Sequence, residues 1–251
     1  MLFGEIAYGP IHSRRLGTSL GIELMPLNHK LCTFNCVYCE CGWNTPVSHP
    51  KLPTREEVRT ALEARLKEGL LLDVITFSGN GEPTLHPDFL GIIEDTCALR
   101  DQYCPNAKVS VLSNSTQLGR PDVVKALRLC DNRILKLDAG TDTMMRRIDL
   151  PVNEQLTVEQ IIAWLQPFDG DFTLQTCFLR GAHDGEIIDN TTPEELEAWY
   201  RAVDSLHPKQ IMIYVIDRKT PEENLQKISR EEMESIAAPL REKGYDVIIS
   251  A

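Results

Sequence analysis

Two periodicities run through this chain. Short, mostly apolar runs at Ser19–Met25, Leu72–Ser78, Lys108–Ser113, Arg133–Asp138, Phe172–Leu179, Gln210–Ile216 and Tyr245–Ile249 read as strands. Between them lie segments whose apolar residues recur three and four apart. Thr54-Arg55-Glu56-Glu57 opens a helix running to about Gly69, and Phe89–Arg100 and Pro121–Leu129 are helical in pattern. Thr157-Val158-Glu159-Gln160 caps a helix through Leu165. Thr192-Pro193-Glu194-Glu195 reads as a capping box with proline at the first helical position, and its helix runs to about Leu206. Ser229-Arg230-Glu231-Glu232 starts the last long helix.

Strands alternating with helices imply βαβ units and a parallel sheet. Six βα units predict an α/β fold, a partial (β/α)6 barrel of the TIM-like kind, with a doubly wound open sheet as the rival. Both architectures place ligands at the carboxyl ends of the strands. No linker, repeat or low-complexity segment interrupts the pattern. One domain over 1–251 is therefore expected, with a cysteine-bearing loop at about 26–53 and a C-terminal extension at about 219–251.

That loop carries Cys32-Thr33-Phe34-Asn35-Cys36-Val37-Tyr38-Cys39. Three thiolates at C-x3-C-x2-C spacing can hold three irons of a [4Fe–4S] cube, which ordinarily takes four cysteine ligands. The fourth iron is then open to another molecule, and with S-adenosylmethionine (SAM) there the chemistry is radical formation. A zinc site is the alternative, but zinc usually wants two paired knuckles, and no second C-x2-C or H-x3-H pair follows. Cys41 lies two residues beyond Cys39. It could complete a four-cysteine cluster and make the protein an electron carrier, or take part in turnover as a thiol. Cys97, Cys104, Cys130 and Cys177 are scattered singly and are expected to be buried thiols.

Polar residues gather at the predicted carboxyl ends. Ser78-Gly79-Asn80-Gly81-Glu82-Pro83 follows the second strand, where glycines allow close backbone approach and Glu82 could hold an ammonium group. A plain strand-to-helix turn is the simpler account of that segment. Ser113-Asn114-Ser115 and Asp138-Ala139-Gly140 follow the next two strands. Alternation puts Lys136 and Asp138 on one face, and Gln175 and Cys177 on another strand's face. Lys136 facing the mouth could form a Schiff base with a carbonyl substrate. Pairing with Asp138 is the favoured reading, because neighbouring charges on one face neutralise each other.

The formal charge of −11 opposes a polyanionic partner unless a local basic patch offsets it, and His12-Ser13-Arg14-Arg15 is the one short basic cluster near the chemistry. No apolar run approaches the ~18 residues of a membrane span. Met1-Leu2-Phe3-Gly4-Glu5 lacks the blocks of a secretory signal, so a reducing, cytoplasmic setting is expected.

On its cysteine loop and on Gly79-Asn80-Gly81-Glu82-Pro83, a variant of a Gly-Gly-Glu-Pro motif in which Asn80 departs from the commoner form, the chain resembles the radical SAM superfamily over nearly its whole length. Gly9-Pro10-Ile11-His12-Ser13-Arg14-Arg15-Leu16-Gly17, Ser19-Leu20-Gly21-Ile22, Leu137-Asp138-Ala139-Gly140-Thr141 and Ile216-Asp217-Arg218 are similar to a group of short Fe–S oxidoreductase-like proteins related to the wybutosine-forming tRNA enzymes. The resemblance implies that Cys32, Cys36 and Cys39 hold the cluster and that SAM chelates the fourth iron. It implies that Gly79, Asn80, Gly81 and Glu82 receive the amino end of SAM, that Tyr38 lies near the adenine, and that Ser113, Asn114, Asp138 and Gln175 are further cofactor contacts. It implies reductive cleavage of SAM to a 5′-deoxyadenosyl radical that abstracts hydrogen from a substrate in the barrel mouth, with Lys136 and Cys41 as candidate catalytic residues. The electron donor would be a flavodoxin or ferredoxin. A small molecule or peptide is the favoured substrate. Modification of tRNA and activation of a glycyl-radical enzyme are the other substrate classes.

Overall fold

The structure is a computed structural model and describes residues 2–13 and 16–250. Arg14 and Arg15 of the basic cluster lie outside the described residues. The chain forms two compact units, Met1–Cys32 with Asn44–Ile134, and Thr33–Trp43 with Leu135–Ala251.

The first unit runs β1 (Ala7–Ser13), β2 (Gly17–Ile22), α1 (Arg55–Leu66), β3 (Val74–Phe77), α2 (Phe89–Tyr103), β4 (Lys108–Ser113), α3 (Pro121–Leu129) and β5 (Asn132–Lys136), whose last two residues belong to the second unit. Its strands lie in the order β1-β2-β3-β4-β5. The pairs β2–β3 and β3–β4 are parallel, and β1 pairs antiparallel with β2 at the edge. The apolar pattern did not predict β1. Four of its residues are exposed and it contains Pro10, which an edge strand tolerates because its N–H side need not pair. By contrast β3 is buried at every position, as a strand covered on both faces must be. Helix α1 has the expected capping box, Thr54 with Glu57. It buries Val58, Leu62 and Leu66, while α2 buries Phe89, Ile92, Ile93 and Leu99.

The second unit continues with α4 (Asp142–Ile148), α5 (Val158–Leu165), β6 (Thr173–Cys177), β7 (Leu179–His183), β8 (Glu186–Asp189), α6 (Pro193–Leu206), β9 (Gln210–Tyr214), β10 (Gln226–Lys227), α7 (Arg230–Glu242) and β11 (Val247–Ser250). The pairs β6–β9 and β9–β11 are parallel, and β10-β7-β8 form a separate antiparallel sheet. The strand expected over Phe172–Leu179 is β6 and ends at Cys177, and a further strand, β7, begins at Leu179. Asn190 Oδ1 accepts from Leu179 N at 2.9 Å, where the chain leaves the parallel sheet. Helix α6 anchors this unit through Trp199, which is 1% exposed, meets Phe178 edge-on at 5.2 Å and donates Nε1–H to Thr176 Oγ1 at 3.1 Å. Burying a side chain of this kind contributes about 1.5–3 kcal/mol.

One cap differs from the sequence expectation. Thr192 caps α6 by accepting from Glu195 N, but Glu195 does not complete a capping box. Its carboxylate instead accepts from Gly140 N at 3.0 Å, Thr141 N at 3.3 Å and the Thr141 hydroxyl. A Cβ on Gly140 would sit 2.6 Å from both Glu195 O and Trp199 N, so glycine is what lets the segment after β5 approach α6. The capping box at Ser229 and Glu232 on α7 forms as expected.

Candidate functional site

In the first unit, the residue that leads into Cys32 meets the glycine-rich turn after β3. Leu31 N donates to Asn80 O at 2.9 Å, and Glu82 N donates to Leu31 O at 3.1 Å. The residue before Cys32 thus pairs with Gly81 as an isolated parallel bridge. A Cβ on Gly81 would fall 1.7 Å from Leu31 O, so only glycine permits this approach. At Gly79 a Cβ would fall 2.0 Å from Glu23 Oε2.

The Glu82 side chain is 2% exposed. Its Oε1 accepts from Thr84 N at 3.1 Å, from the Thr84 hydroxyl and from Ser113 Oγ at 2.9 Å, and its Oε2 accepts from Asn114 N at 2.7 Å. Burial pushes this carboxyl up, and these four donors pull it back. Glu82 therefore ties the turn after β3 to the end of β4. Asn80, fully buried, accepts from Phe3 N at 2.8 Å and donates to Phe3 O and Pro26 O, both at 2.9 Å. Asn114 Nδ2 donates to Cys32 Sγ at 3.4 Å, and its Oδ1 accepts from Thr116 N and Oγ1.

Glu23 is a site residue that the sequence reading missed. It follows β2, is 1% exposed, and accepts from Met25 N at 2.7 Å and from Asn80 N at 2.6 Å. Burial pushes its carboxyl from 4.5 up to about 7 against those bonds. The available signal was an acid inside the apolar run Ile22-Glu23-Leu24-Met25.

The second unit holds the rest of the cysteine loop against the end of α4. Asn35 N donates to Asp149 O at 2.8 Å, Val37 N to Ile148 O at 2.9 Å, and Val152 N to Thr33 O at 2.9 Å. Beside this loop, Lys136 Nζ lies 2.6 Å from Asp149 Oδ1, 3.1 Å from Asp138 Oδ2 and 3.0 Å from Cys36 Sγ. The rings of Phe34 and Tyr38 each lie 5.0 Å from the same nitrogen. Burial opposes the charge on Lys136, but Asp138 and Asp149 outweigh it and hold the ammonium well above the ordinary lysine range. Burial raises Asp149 to about 6, against the pull of Lys136. The expected Lys136–Asp138 pair is present, and Asp149, which no spacing indicated, is its second partner.

The Tyr38 hydroxyl donates to Asp138 Oδ2 and accepts from Tyr214 OH at 3.4 Å. Asp138 Oδ1 accepts from Cys177 N at 2.8 Å, and Asn190 Nδ2 donates to Asp138 O at 2.8 Å. Burial, then Asp138, pushes the Tyr38 hydroxyl well above its ordinary range. Gln175 stands apart from this network in its side-chain contact, donating Nε2–H to Met212 Sδ at 3.6 Å. Cys41 and Cys39 are half-buried, with Gly42 N donating to Cys39 O at 2.9 Å.

The Cys32 sulfur faces an amide N–H, and the Cys36 sulfur faces an ammonium as well as the Asp149 carboxylate, 3.4 Å away. The N–H donors suit thiolates, the form in which cysteine binds iron, and so fit a cluster. Among the described residues, no three His, Cys, Asp or Glu side chains stand close enough to share one metal ion. A cube asks for a wider arrangement, with a separate iron for each cysteine.

The Radical SAM superfamily model matches residues 29–191. A UPF0026 protein of Helicobacter pylori is 31% identical over 183 residues, covering 71% of this chain and 58% of that protein. A UPF0026 protein of Synechocystis is 35% identical over 170 residues, covering 66% and 60%. A Brachyspira hyodysenteriae protein named GTPase Obg is 31% identical over 232 residues, covering 90% of this chain and 32% of that protein. The chain thus spans less than two thirds of the length of these curated relatives. Among solved structures, TYW1 with a lysine–pyruvate adduct bound has a TM-score of 0.64 at 18% identity, covering 91% of this chain and 75% of that one. Streptococcus suis SuiB bound to S-adenosylmethionine has a TM-score of 0.65 at 13% identity, covering 91% and 50%.

These likenesses show the fold, the partial TIM-like barrel of parallel strands that the alternation of elements predicted. No helix among the described residues is long and apolar enough to cross a membrane. With the match over residues 29–191, which is more than half of its length, the chain belongs to the radical SAM superfamily, whose members are enzymes that use a [4Fe–4S] cluster and S-adenosylmethionine.

Proposed function

We propose that this protein is a radical SAM enzyme in which Cys32, Cys36 and Cys39 hold the cluster, and that its substrate is a small molecule or peptide from which a hydrogen atom is abstracted. The observation that carries the reading is the bridge between Leu31 and Gly81, which sets the first cysteine beside the Gly79–Glu82 turn although the two motifs are far apart in sequence. When bound, the cluster and SAM supply a 5′-deoxyadenosyl radical made by one-electron cleavage of the S–C5′ bond.

The chain's own residues bind and orient. Gly79 and Gly81 give the backbone its close approach, and the turn they form receives the amino end of SAM. Glu82 acts one step removed, since its carboxylate is engaged with Thr84, Ser113 and Asn114 and so fixes the turn and the end of β4 as one piece. Asn80 does the same for the backbone at Phe3 and Pro26. Asn114 donates to the Cys32 sulfur. Tyr38 lies near the nucleoside part of SAM, with the buried Asp138 accepting from its hydroxyl and so orienting the ring, and with Gln175 a further contact. Cys41, half-buried two residues beyond Cys39, is the candidate thiol for turnover.

The net charge of −11 supports a small molecule or peptide over a polyanion. One structural relative, SuiB, was solved bound to its precursor peptide, and another, TYW1, with a lysine–pyruvate adduct. A lysine adduct at Lys136 is disfavoured here, because two carboxylates keep that amine protonated and a protonated amine is not a nucleophile.

The test is anaerobic reconstitution with iron and sulfide, then dithionite and SAM, with 5′-deoxyadenosine as readout and Cys36→Ala as control. Product that vanishes in the variant supports the reading. A redox-active cluster that neither binds nor cleaves SAM refutes it and points to Cys41 as a fourth ligand. Retention of tRNA at low salt, lost steeply as salt rises, would replace the small-substrate reading with a tRNA one.

A further inference from the structure

We infer that Lys136 sets the reduction potential of the cluster through Cys36, and that Asp149 acts on it in the opposite sense. The inference rests on the reading of Cys36 as a cluster ligand.

Lysine side chains normally extend to water. The Lys136 side chain is 10% exposed, and those of Asp138 and Asp149 are 0% and 3%. Its nitrogen is held at Cys36 Sγ, at 3.0 Å, by the two carboxylates and by the faces of Phe34 and Tyr38. Asp149 Oδ1 lies 3.4 Å from the same sulfur. A positive and a negative charge therefore both stand within hydrogen-bonding distance of one sulfur, in an interior where charges are poorly screened.

Reduction adds an electron that spreads over iron and sulfur. Cluster potentials respond to net charge and to hydrogen bonds at the sulfurs. An ammonium at Cys36 favours the reduced form twice over, by its charge and by its N–H···S bond. A carboxylate there favours the oxidised form. Since SAM cleavage begins with an electron from the reduced cluster, this pair governs how readily the resting enzyme accepts that electron. Lys136 is thus a positioning and tuning residue, and not a nucleophile.

The experiment is redox titration of reconstituted wild type, Lys136→Met, Lys136→Arg and Asp149→Asn, following the electron-spin signal of the reduced cluster, with iron content measured alongside. At the wild-type midpoint, Lys136→Met is expected to shift the oxidised-to-reduced ratio at least tenfold toward oxidised, which for one electron is about 59 mV. Asp149→Asn is expected to shift it tenfold toward reduced, and Lys136→Arg to retain the wild-type ratio. A purely structural ion pair would not move the potential in opposite directions. Unchanged ratios in Lys136→Met and Asp149→Asn, or shifts of the same sign, overturn the inference. If Lys136→Met takes up no iron, Asp149→Asn decides alone, and an unshifted ratio there overturns the inference. A wild-type protein that takes up no cluster instead overturns the reading of the cysteines, and this inference falls with it.

Discussion

Glu23 provides a quantitative check on the electrostatics beneath the Gly79–Glu82 turn. Its carboxylate accepts from Asn80 N and Met25 N, yet burial raises it from 4.5 to about 7. Between those two values the unfolded chain has released its proton and the folded chain has kept it. The folded state therefore binds more protons, and its stability falls as pH rises through that window. At about 1.4 kcal/mol per pH unit, the gap amounts to roughly 3 kcal/mol. Glu23→Gln removes the titration while keeping one oxygen to accept an N–H. Urea unfolding of both proteins at pH 4, 5, 6, 7 and 8 gives two stability profiles, and their difference isolates this group. Asp149, pushed up to about 6 in the other unit, is present in both proteins and cancels. The wild type should lose roughly 3 kcal/mol relative to the variant between pH 4 and 8. Parallel profiles would refute the reasoning, and would mean that the two backbone N–H groups just offset the cost of burying the charge.

Three further outcomes follow from the same geometry. Asn80→Ala leaves Phe3 N–H, Phe3 O and Pro26 O without their buried partner and should lower stability by about 2–3 kcal/mol, read as the midpoint of urea unfolding. Gly81→Ala drives a methyl group into Leu31 O and must part the two motif segments, so equilibrium dialysis of the reconstituted protein should show SAM binding weakened at least tenfold; unchanged binding would sink the role given to that bridge. Glu195→Ala leaves the Gly140 and Thr141 N–H groups and the Thr141 hydroxyl without their acceptor and should cost about 1–3 kcal/mol, whereas a merely local cap at the start of α6 would cost almost nothing, because Thr192 still caps the backbone N–H at 195.

The helices were legible where their ends carried local chemistry. Thr54, Thr157, Thr192 and Ser229 each accept from the backbone three residues on, as their spacing predicted, because an N-cap is decided within one turn. Strands β4 and β6 and helices α3 and α5 fell close to the expected ranges, because their periods are local too. Helix α4 was missed: it is seven residues long and gives little room for a periodic signal. The sheet β10-β7-β8 was missed because its strands are short and half-exposed, so no apolar run marks them.

The site divides along the same line. A cysteine spacing or a glycine-rich turn is a local device, written in consecutive residues, and the sequence by itself determined the cysteine motif, the α/β alternation and the family. The partners of those residues are set by which segments pack together. Nothing near Lys136 in the chain announces Asp149, and nothing near Glu195 announces Gly140. Only the tertiary structure decided that Lys136 faces Cys36 between two carboxylates, that Glu82 and Asn80 spend their side chains on fixing backbone, and that Glu23 lies buried beneath the turn. The physical reason is that charge pairing, desolvation and close backbone approach depend on distance in space, whereas sequence records only distance along the chain.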